Sequence, residues 1–520
     1  MIAGKLHDLA KVQHHAFAFI ALPLLIFLGN VRPYSANLLP PWPGQAGPAN
    51  ADQIMDRANQ LFAAGNFTAA AQAYRQALEL APKDAQLHFN LALALGGLGD
   101  IEGERHELQR ALQLKPDLAR AHNQLGLLDA QAGATAQAEQ EFKAAIAADP
   151  KYGEALNNLG VLFSQQGRDS EAVETFRQAT QADSQSSEAW VNLALTLTKV
   201  DGFSKAQNEL ESAIQAHPDQ AGAYTALGVV RSRAGHGPDA LDAFRKAVEL
   251  RPDSSDAHLN FGIALVGQDL DNDGLRELAS AVRLDPNSAA AHMSLGHLYF
   301  VTGRYDDARK ELRLAGRLQP TLQDAFYFLA LLEKRENHTE LAAQLARRAV
   351  GLNPSNADAQ FLLGQLLDHL GKTDQAIEHW KQAVQVDPNQ SQALYALFRA
   401  LSKQHDPLAQ QYQARFDEVR KREQMTDRAT MLRSFALQAA KAQNWPEAIS
   451  QMQQAIELCG QCAYGALLHK NLAFFYRSTG RMNDAEGELQ KALTLDPNDA
   501  NAQKALAALK GLRTSQPNDH

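Results

Sequence analysis

Apolar and polar positions along this chain follow a helical period, with a longer period laid over it. In residues 221–254, AGAYTALGVVRSRAGHGPDALDAFRKAVELRPDS, Tyr224, Leu227 and Gly228 fall on one face of a first helix. The stretch from Gly235 to Pro238 interrupts it. Ala240, Phe244 and Ala247, spaced by four and three, then fall on one face of a second helix, and Pro252 ends that helix. Gly228 and Ala240 are small enough to let the two antiparallel helices approach, while Tyr224 and Phe244 fill the wedges between them.

The order repeats every 34 residues. Pro82, Pro116, Pro150, Pro218, Pro252, Pro286, Pro320, Pro354 and Pro388 sit on one grid, with a gap only at Ser184. Ten cycles begin at 51, 85, 119, 153, 187, 221, 255, 289, 323 and 357. One helix pair cannot bury its apolar face alone, so stacked neighbours must supply the core.

The set Tyr224, Leu227-Gly228, Ala240, Phe244, Ala247 and Pro252 resembles the tetratricopeptide repeat. Other cycles keep it: Leu125-Gly126, Ala138, Phe142, Ala145 and Pro150, or Leu295-Gly296, Ala308, Ala315 and Pro320. The resemblance implies an all-α fold, a right-handed superhelical solenoid of antiparallel helix pairs with a concave groove. It covers 51–390 as ten regular repeats. The register then fails, and 391–428 reads as a divergent, more charged helix pair. Two further repeats are expected over 429–499, the second keeping Leu472-Ala473, Gly480, Ala485, Ala492 and Pro497. A capping helix follows over 500–513 and a flexible tail over 514–520.

Charge narrows the partners. Fifty basic against 59 acidic residues give a formal net charge of −9, which argues against nucleic acid. The amino terminus bears on compartment. AFAFIALPLLIFL, Ala16 to Leu28, is short for a transmembrane span and of the right length for the core of a secretory signal. Residues 1–36 are therefore expected to be a signal peptide or an uncleaved membrane anchor, and 37–50 a Pro-rich linker. Lys5 and Lys11 before the apolar run would leave the rest exported: periplasmic, secreted or anchored.

Several motifs imitate chemistry. LGKTD at 370–374 ends like a phosphate loop, but Leu366 stands where its first glycine belongs. DLDNDG at 269–274 begins like a calcium loop, but Ser280 occupies the twelfth position, so a solvated turn competes with weak calcium binding. HELQR at 106–110 lacks the second histidine of a zinc-protease helix. His88, His122, His258 and His292 share one repeat position, read as core packing with a metal or pH role as the alternative. Cys459 and Cys462 have redox spacing but follow a repeat's second helix. A local disulfide, unpaired thiols and redox chemistry all stay open there. With nearly all of 51–512 assigned to repeats, no catalytic constellation is found. The chain reads as a non-enzyme with no metal, no cofactor and no small-molecule substrate.

Function is then expected in the groove. The residue before the Leu-Gly or Leu-Ala pair runs Asn90, Gln124, Asn158, Asn192, Ala226, Asn260, and returns at Asn471. An amide both donates and accepts, so a row of them can hold the main chain of an extended peptide. The row resembles the asparagine ladder in the repeats of the O-linked N-acetylglucosamine transferases, without their catalytic domain. The competing reading is that each amide bonds a neighbouring helix and fixes repeat spacing. The row becomes Ser294, Phe328 and Leu362 further on, so the groove turns apolar. Position two of the repeats, with Glu154, Glu188 and Asp256, is mostly neutral or acidic, which does not suit a clamp for a peptide carboxylate. The expected role is a non-catalytic protein- or peptide-binding scaffold, touching membrane only through its amino-terminal segment. The alternative is an accessory subunit of a cell-envelope enzyme or secretion complex, such as a glycosyltransferase.

Overall fold

A computed structural model describes residues 49–514 apart from 461, 463 and 498. The apolar segment at 16–28 and the tail from 515 therefore lie outside the described residues. Within them the chain is all-α: 26 helices from Ala49–Ala63 to Ala500–Thr514, and no strand. No helix among the described residues is long and apolar enough to cross a membrane. The described residues divide into two compact units, one ending at 311 and the other beginning at 312.

In unit 1 each 34-residue cycle forms one helix pair, as in Ala119–Gln131 with Thr135–Ala148 and Ala221–Arg233 with Gly237–Leu250. The small residue just past mid-helix is required by an aromatic ring on the partner helix. A Cβ on Gly126, Gly160 or Gly228 would lie 2.7, 2.6 or 2.7 Å from the rings of Phe142, Phe176 and Phe244. Those three rings are almost completely buried. The turn inside each pair passes through the left-handed region, at Gly133 (φ 74°) for example. Asp269 takes the same role (φ 58°), and Asp271 opens the next helix, so DLDNDG forms an inter-helix turn. Gly371 (φ 74°) does likewise for LGKTD.

Unit 2 begins with the same pairing, in Gln323–Arg335 with Thr339–Leu352 and Ala357–His369 with Thr373–Val386. After Ser391–Lys403 comes a single helix, Leu408–Lys441, of 34 residues. At 1.5 Å per residue it is about 51 Å long. The division expected at 428 falls inside this helix, so the divergent pair and the next repeat share one uninterrupted element. The cause is visible on the grid. A proline is due at 422, and Arg422 stands there instead. Ser184 also lacks the proline, yet the chain breaks. There Asp183 accepts from the Gln185 amide at 3.0 Å, and the Ser186 hydroxyl caps Ala189 N at 3.2 Å.

Fusion has a cost in exposed surface. Met431 and Phe435 are 50% and 48% exposed, whereas Ala325 and Leu329, at the same repeat positions, are 0% and 5% exposed. The preceding segment runs on along the helix axis and cannot fold back over them. Residues 429–509 accordingly gather their own core around Met452, Leu468, Leu472, Phe475 and Leu489.

One substitution at one repeat position should act oppositely in the two places. Ser184→Pro should leave stability unchanged or raise it by about 0.4–1 kcal/mol, since its turn already has the conformation the other prolines adopt. Arg422→Pro should cost about 3 kcal/mol by breaking an interior helical bond. Denaturant unfolding of the two variants measures both.

Candidate peptide-binding groove

The five amides expected in the groove all donate to the protein itself. Asn192 Nδ2 donates to Asn157 Oδ1 at 2.9 Å, and Asn158 Nδ2 to Asn123 Oδ1 at 3.0 Å. Each bond runs from one repeat to the repeat before it. Gln124 Nε2 donates to Glu104 Oε1 at 2.8 Å. Asn90 Nδ2 reaches Asn59 Oδ1 at 3.5 Å, and Asn260 Nδ2 donates to the Asp256 carbonyl one turn back, at 2.8 Å. Asn90 is fully buried and Asn192 is 3% exposed. Burial pushes the Glu104 carboxyl up to about 7, opposed by the Gln124 hydrogen bond.

A second amide row, Asn123 and Asn157, completes the network. Asn157 Nδ2 donates to Glu188 Oε1 of the following repeat at 3.0 Å, and Asn123 Nδ2 reaches the Tyr152 hydroxyl at 3.5 Å. This row was not anticipated. The doublets Asn123-Gln124 and Asn157-Asn158, 34 residues apart, are the signal that could have found it.

In unit 1 the first turns of consecutive first helices border a cleft of about 450 Å³. Glu154, Asn157, Asn158, Ser187, Glu188 and Asp256 line it. Of the five expected residues only Asn158 is among the lining groups. The cleft is polar and predominantly acidic, with Arg251 at its border. Its carboxylates are engaged within the protein, as Glu188 is by Asn157, and its negative charge would favour a partner with cationic side chains.

Other candidates make contacts within the protein. The four histidines at one repeat position pair with glutamates of the second helices. In unit 2 Glu333, Glu336 and His338 bring ligand atoms within 4.8 Å of one another. Arg313 Nη2 stands 3.3 Å from Glu333, and His338 Nδ1 2.8 Å, so the buried carboxylate already has its countercharge. Cys459 and Cys462 are joined, with Cα atoms 5.1 Å apart, at the end of Trp445–Cys459 and before Gly465–Ser478.

Tetratricopeptide-repeat profiles match residues 58–99, 85–118, 129–195, 191–255, 272–332, 329–393 and 471–499, together more than half of the chain. The chain belongs to the tetratricopeptide-repeat family. The profiles leave 394–470 unmatched, the region that holds the fused helix. Among solved structures, MamA is 24% identical, covering 32% of this chain and 96% of its own, at a TM-score of 0.29. Yeast Tom70 is 16% identical, covering 90% and 97%, at 0.33. The Cut9–Hcn1 hetero-tetramer of APC/C is 15% identical, covering 89% and 96%, at 0.33. No curated protein matches the chain.

For a tetratricopeptide repeat whose amides span neighbouring repeats, the amides should be coupled in stability. Asn192→Ala should cost about 1–2 kcal/mol because it strands a buried acceptor. In a double-mutant cycle with Asn157→Ala the losses should fall short of additivity by about 0.5–1.5 kcal/mol. Additive losses would show that the bond does not contribute.

Proposed function

We propose that this protein is a non-catalytic scaffold that holds an extended segment of a partner protein along the inner face of unit 1. The observation that carries this reading is the polar cleft bordered by Glu154, Asn157, Asn158, Glu188 and Asp256, drawn from successive repeats. An extended peptide presents an N–H and a C=O at every residue. A row of carboxylate and amide groups repeated from one helix pair to the next can meet that backbone with little regard for side-chain sequence. The amides' donors already tie the repeats together, so recognition falls more on the acceptors, the serine hydroxyls and the acidic groups than on amide N–H groups. The sequence from Lys5 to Leu28 supports an exported or anchored scaffold, which protease accessibility in intact cells would test.

Site-directed photo-cross-linking tests the placement. A photoreactive residue at Ser187, in the cleft, should trap partner segments that one at Lys246, exposed on a second helix, does not. Glu154→Gln with Glu188→Gln should reduce the yield at 187 several-fold while leaving the helix content unchanged. Equal trapping at the two positions would refute a groove-bound partner.

A further inference from the structure

At several turns between repeats the fourth residue of the next helix donates to the carbonyl at the proline position; at Pro320 and Pro388 an arginine does so instead, Arg348 Nη2 at 3.2 Å and Arg415 Nη2 at 3.3 Å. Trp190 Nε1 donates to Ser184 O at 2.9 Å, Gln360 Nε2 to Pro354 O at 3.0 Å, and Gln503 Nε2 to Pro497 O at 2.8 Å. These donors carry no titratable proton. In four repeats of unit 1 the donor is a histidine. His88, His122, His258 and His292 place Nε2 3.2, 2.9, 3.1 and 3.0 Å from the carbonyls of Pro82, Pro116, Pro252 and Pro286.

Each ring is also engaged at its other nitrogen. Nδ1 lies 2.6 Å from Glu107, 2.6 Å from Glu141, 2.6 Å from Glu277 and 2.5 Å from Glu311, in the same order. A neutral imidazole has one N–H. A peptide carbonyl and an ionised carboxylate both only accept. The two contacts are satisfied together only when the pair holds a second proton, either as imidazolium with carboxylate or as neutral ring with carboxylic acid. Without it, one nitrogen lone pair faces an acceptor.

We propose that the four His–Glu pairs are proton-dependent clamps, tying the turn that enters a repeat to both helices of that repeat and releasing one bond when the second proton leaves. Protonation thus stiffens 82–141 and 252–311 of unit 1, and rising pH loosens them. The intervening Trp190 repeat keeps its turn contact at all pH values.

The groups facing the rings set the balance. His106 Nδ1 also approaches Glu107, at 3.3 Å, and Asp285 adds negative charge near His292. Each ring lies in the first turn of a helix, where the dipole opposes a cation. The His122 ring is held above its ordinary value chiefly by the hydrogen bond to Glu141. For His292 burial works against the charge, and the contacts to Glu311 and the Pro286 carbonyl outweigh it. A histidine whose folded pKa is raised contributes stability in full below the unfolded value, about 6.5. That contribution is lost as pH rises through the folded value. A fifth pair, His469 with Glu488 in unit 2, has a fixed positive neighbour in Lys491, 2.8 Å from Glu488.

Glutamine in place of the four glutamates isolates the proton. A Gln side chain can donate to a neutral ring at Nδ1 while Nε2–H donates to the turn, which restores the clamp without the extra proton. Full-length wild type should show a lower urea midpoint at pH 8.0 than at pH 5.5. The quadruple variant E107Q/E141Q/E277Q/E311Q should lose most of that drop. Glu104 titrates near neutrality in both proteins, so the difference between them is the quantity read. Histidine carbon-13 NMR on the wild type gives a readout independent of variant folding: the His122 and His292 rings should titrate above the unfolded value of about 6.5. A pH drop that persists in the variant would overturn the proposal. His122 and His292 rings titrating at or below the unfolded value would do the same.

Discussion

The polar backbone left at the proline turn is a constraint on how one repeat joins the next. Proline ends a helix and has no N–H, so the chain must turn, and its carbonyl needs a donor from elsewhere. The fourth residue of the next helix supplies it where that residue is His122, Trp190 or Gln360, and an arginine of the following second helix does so where that residue is Phe326 or Leu394. That bond sets where the next helix starts relative to the last. Once its start is set, the small residue meets the ring of its partner helix, as Gly228 meets Phe244, and the amide rows of adjacent repeats come into hydrogen-bond register. Arg422 marks what happens when the proline is absent and nothing local replaces it: the helix continues, and Met431 and Phe435 lose the cover that their repeat position normally has.

The groove inherits its chemistry from this register. Amide N–H groups of Asn158 and Asn192 are spent between repeats, which makes the inner face of unit 1 a rigid surface rather than a set of independent side chains. What the cleft presents to a partner is a run of carboxylates and hydroxyls whose spacing is that of the repeats. A rigid, repeated surface loses little conformational entropy on binding, so modest individual hydrogen bonds can still select an extended segment.

Much of the fold was legible because the constraint is periodic. The proline grid, the Leu-Gly pairs and the Phe244-type aromatics each give the same 34-residue frame, and errors at one residue do not shift it. The frame failed where the sequence lost its marks without saying what replaced them. Ser184 and Arg422 both stand in for proline, and only the neighbouring Asp183 and Ser186 distinguish a turn from a continuing helix. The groove was legible in part. Asn158 and Asn192 stood out as amides, but the partner of each, Asn123 or Asn157, lies one repeat earlier and is set by helix packing that a linear reading does not contain. The histidines were harder still. His88 and its equivalents look like packing residues in a list, because the carbonyl and carboxylate that flank each ring come from other elements 6 and 19 residues away.

The central claim is that partners lie across the first turns of successive first helices in unit 1, on a surface held rigid by contacts between repeats. Hydrogen-exchange mass spectrometry of the full chain, with and without a cross-linked partner segment, tests it most directly. Protection should rise over 153–158, 186–192 and 254–260, with the second helices 169–182 and 237–250 unchanged. Protection confined to those second helices, or to unit 2, would contradict it.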